Sequence, residues 1–433
     1  MEKNYYVGLD LGTSSIKTVL IDANGAIVAE SSRSTTLIRD GAFIEFDAGR
    51  HYVNVCAGIR DVAGHLPKNG RVAALSMAGA TGNALLADAE GNAICNAISW
   101  MDNRANLKAF DADTVRGIVG WGCTTSFPLA QFAWLKENRP ELYKKAGRYC
   151  MAFDYLYHRL CGRWVLDYST ATTFHLVNQV KRDYHQEFLD FLQIKRENLS
   201  ELTDSGKVAG ELTPRALADT GLKAGCRLVT GCFDHPAAAR ACGVKEEGQL
   251  MFSCGTSWVG FYPVRDRNIA IESKVLVDPF LSAAGGAWGM IFSLPCIGIA
   301  IDRFIDELIA PECRKKYDRF NSLGASAAPG ADGLRVDLLG DIQAEMDKAK
   351  SHSAANIARA VMEDAANKMN GKIKFFAEKG LFSREIVMVG GPAQSPIWPE
   401  IIAQTTGCRI LSNKKHNAGA LGAALLARSA VPA

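Results

Sequence analysis

The 433-residue sequence predicts an α/β protein of two domains, and three observations carry that prediction. The chain is too long for one compact core. Short β-like apolar runs alternate with stretches of helical periodicity. One motif also recurs: VGLDLGTSSIKTVLI, from Val7, is matched by LMFSCGTSWVGFYPV, from Leu250, with Gly-Thr-Ser after the same five-residue lead and Gly255 lying 243 residues after Gly12. Gly and Ser are common turn formers, so the tripeptide alone is weak. Its position between two strand-like runs in each half points to an internal duplication.

Taken in order, 5–10, 16–22 and 26–30 read as a three-strand antiparallel meander, broken at Gly12-Thr13-Ser14 and at Asp22-Ala23-Asn24-Gly25, where Asn-Gly is a hairpin signal. Residues 47–66 read as helix, 71–77 and 84–88 as strands, and 128–146 and 150–161 as helices. Gly221 and Gly225 flank a turn before a strand at 227–230, which sets the expected boundary near 222, with domains 1–222 and 223–433. Later, VMVGGPAQSPIW has a strand ending at Gly390-Gly391 and a helix starting after Ser395-Pro396, proline being favoured in a first turn.

Composition narrows the class. Hydrophobic residues make up 48% and charged residues 22%, a folded rather than a disordered mixture. The 49 basic and 46 acidic residues nearly cancel, which gives no electrostatic case for nucleic acid or a membrane surface as partner. Arg314-Lys315-Lys316 and Lys414-Lys415 read as solvated faces. The twelve cysteines form no CxxC pair, the sequence opens without a basic leader, and no apolar run approaches the roughly 20 residues of a membrane span. Reduced thiols and a cytoplasmic location are expected.

A strand that ends on Asp10 and turns at once into Gly12-Thr13-Ser14 suggests phosphate chemistry. Backbone N–H groups in such a turn, with Thr and Ser hydroxyls, can cradle phosphate oxygens, and glycine allows close approach. A carboxylate beside phosphate is repelled unless a divalent cation lies between, which would make Asp10 a Mg²⁺ contact and Lys17 an added positive charge. Equally, Asp10 could simply hydrogen-bond the turn.

GLDLGTSSIK, SWMDNRA, GCFDHPAAARACG, FSCGTSWVGF, VMVGGPAQSPIW and ALGAALLA follow one another in the order and at the spacing of the FGGY carbohydrate kinases, and the chain resembles that family over nearly its whole length. The resemblance implies two ribonuclease-H-like (actin-like ATPase) domains with an active-site cleft between them, and ATP with Mg²⁺ as co-substrate. It implies Asp234 as general base. Read locally, Asp234 before an alanine-rich helix is an N-cap candidate. The resemblance further implies Gly12, Thr13, Ser14, Lys17, Gly255 and Thr256 as phosphate contacts, and Gly390, Gly391, Gln394 and Ser395 as nucleotide contacts. Trp100, Asp102, Arg104 and His235 fall to the sugar side, although Asp102 and Arg104 could instead be a surface ion pair.

Departures from the family pattern bear on the acceptor. Ala80, in Gly79-Ala80-Thr81-Gly82-Asn83, stands where a glutamine is common; Gln131, in SFPLAQFAWLKEN, replaces a usual lysine. Asn356 to Glu363 matches a second signature, but LLGDIQAEMDKAKSHSAAN replaces the glycine-containing loop before it. The expectation is an ATP-dependent kinase of a small ketose of the pentulose type, with a homodimer possible. The alternatives are a glycerol or tetritol kinase, and a catalytically weak sugar sensor or actin-fold ATPase.

Overall fold

In the computed structural model, which describes residues 2–413 and 417–432, the opening meander forms with strands longer than expected: β1 (Lys3–Leu11), β2 (Ser15–Ile21) and β3 (Ile27–Ser34). Lys414 and Lys415 lie outside the described residues. β4 (Gly70–Gly79) and β6 (Arg227–Phe233) continue the sheet parallel to β1, and β5 (Val208–Glu211) closes its edge, in the order β5-β6-β4-β1-β2-β3. β1 is apolar almost throughout because both of its faces are covered. Val7, Leu9 and Leu11 pack with Tyr52, Val55 and Ile59 of α1 (Ala48–Ala63). On the other face Tyr6 packs with Ala420 and Leu421 of the terminal helix, Ala418–Ala430.

The expected helix at 128–146 divides into α2 (Pro128–Asn138) and a short helix, Pro140–Lys145. Arg139 leaves helical geometry (φ −136°, ψ 50°), as a residue before proline does. α3 (Ala152–Cys161), α4 (Tyr168–Phe174) and α5 (Asp234–Cys242) complete the elements that surround the first site.

A second sheet repeats the plan. β7 (Gln249–Cys254), β8 (Trp258–Val264) and β9 (Trp288–Leu294) form an antiparallel meander; β10 (Glu385–Gly390) and β11 (Arg409–Ser412) add in parallel beside β7. The duplication inferred from Gly-Thr-Ser is therefore a duplication of the sheet, with each tripeptide in the turn after the central strand. Around the second sheet lie α6 (Ile297–Phe304), α7 (Lys316–Ser326), α8 (Ala354–Ala377) and α9 (Ile397–Thr406). Phe292 of β9 packs on Phe252 and on Phe376 of α8. The segment that replaces the expected glycine-containing loop carries its own helix, Ile342–Ala349, capped by Asp341, and Asn356 to Glu363 fall in α8.

The chain does not divide near 222. One unit holds Met1–Ala241, Ala270–Gly286 and Asn417–Ala433; the other holds Cys242–Ile269 and Ala287–His416. β6 stays in the first unit because it pairs with β4. The 270–286 excursion is tied back by Val277 N–H to Gly120 O at 2.9 Å and by Gln179 Nε2 to Val277 O at 2.7 Å. The terminal helix docks where a Cβ on Gly8 would lie 2.0 Å from Ala420 O, so only glycine fits there. No disulfide joins the twelve cysteines, and among the described residues no helix is long and apolar enough to cross a membrane.

Candidate active site

Asp10 and Asp234, which a boundary near 222 would put in different domains, both belong to the first unit. Asp10, next to the end of β1, lies in register with Lys17 on β2. It follows Tyr6 and Gly8 on the face toward the terminal helix, where a Cβ on Gly419 would lie 2.8 Å from its Oδ2. Burial first, then the negative charge of Asp234, push the Asp10 carboxyl up to about 7 against the opposing charge of Lys17.

Asp234 is aimed by an irregularity in its strand. The β6–β4 register shifts between Val229 and Cys232, and Gly231 passes so close to β4 that a Cβ would sit 1.5 Å from Met77 O. The Gly231 N–H donates to Tyr157 Oη of α3 at 2.8 Å. Asp234 is itself the first residue of α5, and its Oδ1 accepts from the His235 N–H at 2.7 Å, not from the second or third amide as an N-cap would. His235 Nε2 is 3.9 Å from the same oxygen. Behind this pair, Ser169 Oγ of α4 accepts from the Phe233 N–H at 3.1 Å and donates to Asp278 Oδ2 at 2.6 Å. Asp278 is fully buried, which pushes its carboxyl up to about 6. Nothing in the linear sequence marked Ser169 or Asp278, which meet only through tertiary packing.

The Gly12–Ser14 turn is more committed than its sequence suggests. Gly12 N–H donates to Ser15 O at 3.0 Å, and Thr35 donates to Gly12 O and to Ser14 O, so the cradle rests on Thr13 and Ser14. Trp100, 39% exposed, donates from Nε1 to Thr13 Oγ1 at 3.0 Å, leaving that hydroxyl's own proton free to donate. Asp102 and Arg104 are brought together, but facing each other. Arg104 grips Asp102 through Nε (2.9 Å) and Nη2 (2.7 Å), reaches Glu45 at 2.8 Å, and stands 4.0 Å over Phe43. Asp102 also accepts from the Ile44 N–H at 2.6 Å. The pair is buried rather than at the surface and pins the loop that carries Trp100.

Beside this turn is a cavity of about 30 Å³ whose wall includes Thr13, His51, Ala80, Thr81, Asn83 and Trp100, and no Asp, Glu, Lys or Arg. Asn83 Oδ1 accepts from the Ala152 N–H at 2.7 Å, which fixes its amide. His51 is buried and neutral, its pKa lowered to about 4 by desolvation. Ala80 leaves the polar lining to these neighbours. Gln131 Nε2 donates to Ser99 O and Ser126 O, so the residue in place of the usual lysine is a buried brace.

In the second unit, Gly255, Thr256, Gly391, Gln394 and Ser395 line one cavity of about 600 Å³ together with Trp258, Trp398 and Asn321. Gly390 makes the step into it at φ 99°, where a Cβ would lie 2.4 Å from Cys254 O. Gly298, which the sequence reading missed, lets the first turn of α6 press on the Gly255 turn: its N–H donates to Thr256 O at 3.0 Å, and a Cβ would lie 2.1 Å from Gly255 O. Asn321 was missed as well, because α7 meets this cavity only in the folded chain.

The profile of the FGGY family of carbohydrate kinases, N-terminal domain, matches residues 5–241, and that of its C-terminal domain matches 321–431. The chain belongs to the FGGY family of carbohydrate kinases. Within the family, it is 25% identical to the xylulose kinase of Bacillus subtilis (strain 168) over 98% of this chain and 87% of that one. Its fold is similar to the gluconate kinase from Lactobacillus acidophilus (TM-score 0.87, 22% identity, 99% and 89% covered) and to the xylulose kinase from Rhodospirillum rubrum (TM-score 0.85, 22%, 98% and 90%). FGGY kinases use ATP as co-substrate for a small sugar. No group of three or more metal-ligating side chains occurs among the described residues. Two carboxylates within each other's field, one of them buried, still suit a hard divalent cation that keeps most of its waters.

Proposed function

We propose that this kinase phosphorylates a small neutral ketose of the pentulose type, with Asp234 taking the proton of the attacking hydroxyl. The observation that carries the reading is that Asp10, near the end of β1, and Asp234, at the start of α5, are held in the same unit, near enough for the charge of Asp234 to act on Asp10. ATP supplies the γ-phosphoryl, and a divalent cation bound with it offsets charge in a loose transition state. Asp10 and Lys17 set the field at the cation side, Thr13 and Ser14 donate to phosphate oxygens, and Asp234 with His235 orients the sugar hydroxyl. Gly255, Thr256, Gly390, Gly391, Gln394 and Ser395 hold the nucleotide.

The acceptor class follows from the uncharged cavity. At about 30 Å³ it has room for two water-sized groups, since one occupies about 10–15 Å³ by the same measure. A hydroxymethyl end meets the Asn83 amide and the neutral His51 there, whereas a carboxylate would lose its hydration with no cation in return. That supports a neutral sugar like the xylulose of the named relatives over an aldonic acid like gluconate. The test is sugar-dependent ADP release across ketopentoses, ketohexoses, a ketoheptose, glycerol, erythritol and gluconate. A ketopentose is expected to give the highest kcat/KM and gluconate none; a preference for gluconate contradicts the reading.

A further inference from the structure

The first unit contains another cavity, of about 260 Å³, that shares no lining residue with the sugar or nucleotide pockets. We propose that it binds the phosphate group of a small phosphate monoester. Its wall brings Arg182, Lys207 and Arg240 together against a single acid, Asp204. Arg182 is paired with Asp204 at 2.5 Å and stands 3.9 Å over the Tyr168 ring. The other two cations keep donors in reserve. Lys207 is exposed and forms no ion pair among the described residues. Arg240 donates one N–H to Phe280 O at 2.8 Å and forms no ion pair among the described residues. A half-buried guanidinium beside an exposed ammonium, neither of them in an ion pair among the described residues, is suited to a dianionic phosphate, to which charge-assisted hydrogen bonds are strong.

Size and lining restrict the ligand. The volume is below the roughly 300–1,000 Å³ of pockets that enclose larger ligands, so a nucleotide is too big and a compact metabolite fits. Pro279, Phe280 and Leu281 supply an apolar wall on one side, which suits a carbon chain and favours a monoester over the bare ion.

The cavity is also wired to Asp234. Arg240 lies on α5, the helix that Asp234 begins. Ser169, in the wall, holds the Phe233 N–H, and Phe280 N–H donates to Asp278 at 2.7 Å. An anion that draws on Arg240 therefore acts on the groups that hold the residue before the proposed base, which makes the site a means of regulating turnover by a phosphorylated metabolite.

Isothermal titration of the full chain with glycerol 3-phosphate and, separately, inorganic phosphate, without nucleotide or sugar, tests this independently of the kinase reading. Glycerol 3-phosphate is expected to bind saturably and more tightly than phosphate. Lys207→Glu should weaken it about tenfold or more, the equivalent of one lost charge-assisted bond. Lys207→Gln should weaken it less, and neither should change the melting temperature, since Lys207 is an exposed residue outside the proposed catalytic machinery. Thr256→Ala, in the nucleotide turn, should leave binding intact. Unchanged affinity in Lys207→Glu, loss in Thr256→Ala, or no saturable binding of either probe overturns the proposal.

Discussion

At the scale of single residues, Asp10 illustrates a conflict between stability and use. Its carboxyl sits where burial and Asp234 both disfavour ionisation. Replacing it with Asn removes that penalty, so Asp10→Asn is expected to melt higher than the natural chain at pH 7.5 while losing sugar-dependent turnover; calorimetry and initial rates together check this. Arg104 shows the opposite pattern. Its guanidinium satisfies Asp102 and Glu45 in a buried cluster, so Arg104→Met leaves a buried carboxylate short of its partner and should cost about 3–5 kcal/mol in denaturant unfolding. A large rise in sugar KM with unchanged stability would mean that Arg104 contacts the substrate directly. That Asp102 and Arg104 face each other was not legible in SWMDNRA, because the partner Glu45 and the ring of Phe43 come from a distant stretch of chain.

At the scale of elements, glycines mark the places where one backbone lies on another. Gly298→Ala would drive a methyl group into the Gly255 carbonyl and displace the turn. A shift of that kind costs about 1–3 kcal/mol, and here it should appear chiefly as a raised KM for ATP with the sugar KM little changed. A variant with wild-type ATP kinetics would remove that turn from nucleotide binding. The strand–turn–strand of each Gly-Thr-Ser was readable because turn chemistry is local: Gly12 and Gly255 sit at strand ends whatever the tertiary fold. The close packing of Gly298 on Gly255, or of Gly8 on Ala420, depends on where α6 and the terminal helix dock. A lone glycine in a helical run carries no label for its partner.

At the scale of the whole molecule, burial of several acids sets opposite pH trends for stability and activity. Burial pushes Asp10, Asp154 and Asp167 each up to about 7, and Asp278 to about 6, from an ordinary 3.8. Between about pH 4 and 7 the folded chain holds more protons on these groups than the unfolded one, so their contribution to stability falls as pH rises. His51 and His175, buried neutral at about 4 and about 3 against 6.5, pull the other way in acid. The four acids outweigh the two imidazoles, so the melting temperature is expected to rise from pH 8 to pH 6 while turnover declines as Asp10 takes up a proton. A melting temperature that falls over that interval contradicts the balance. The sequence order also misled at this scale. β6, the 270–286 excursion and the terminal helix all return to the first unit, because strand pairing and the docking of small residues draw together segments far apart in the chain.

The central claim is that Asp234 accepts the proton of the sugar hydroxyl. It is tested most directly by the ketopentose-dependent rate of ADP formation in Asp234→Asn at saturating MgATP. Loss of general-base help predicts a fall of about 10²–10⁴-fold with melting behaviour preserved. Wild-type phosphorylation by that variant would contradict the account.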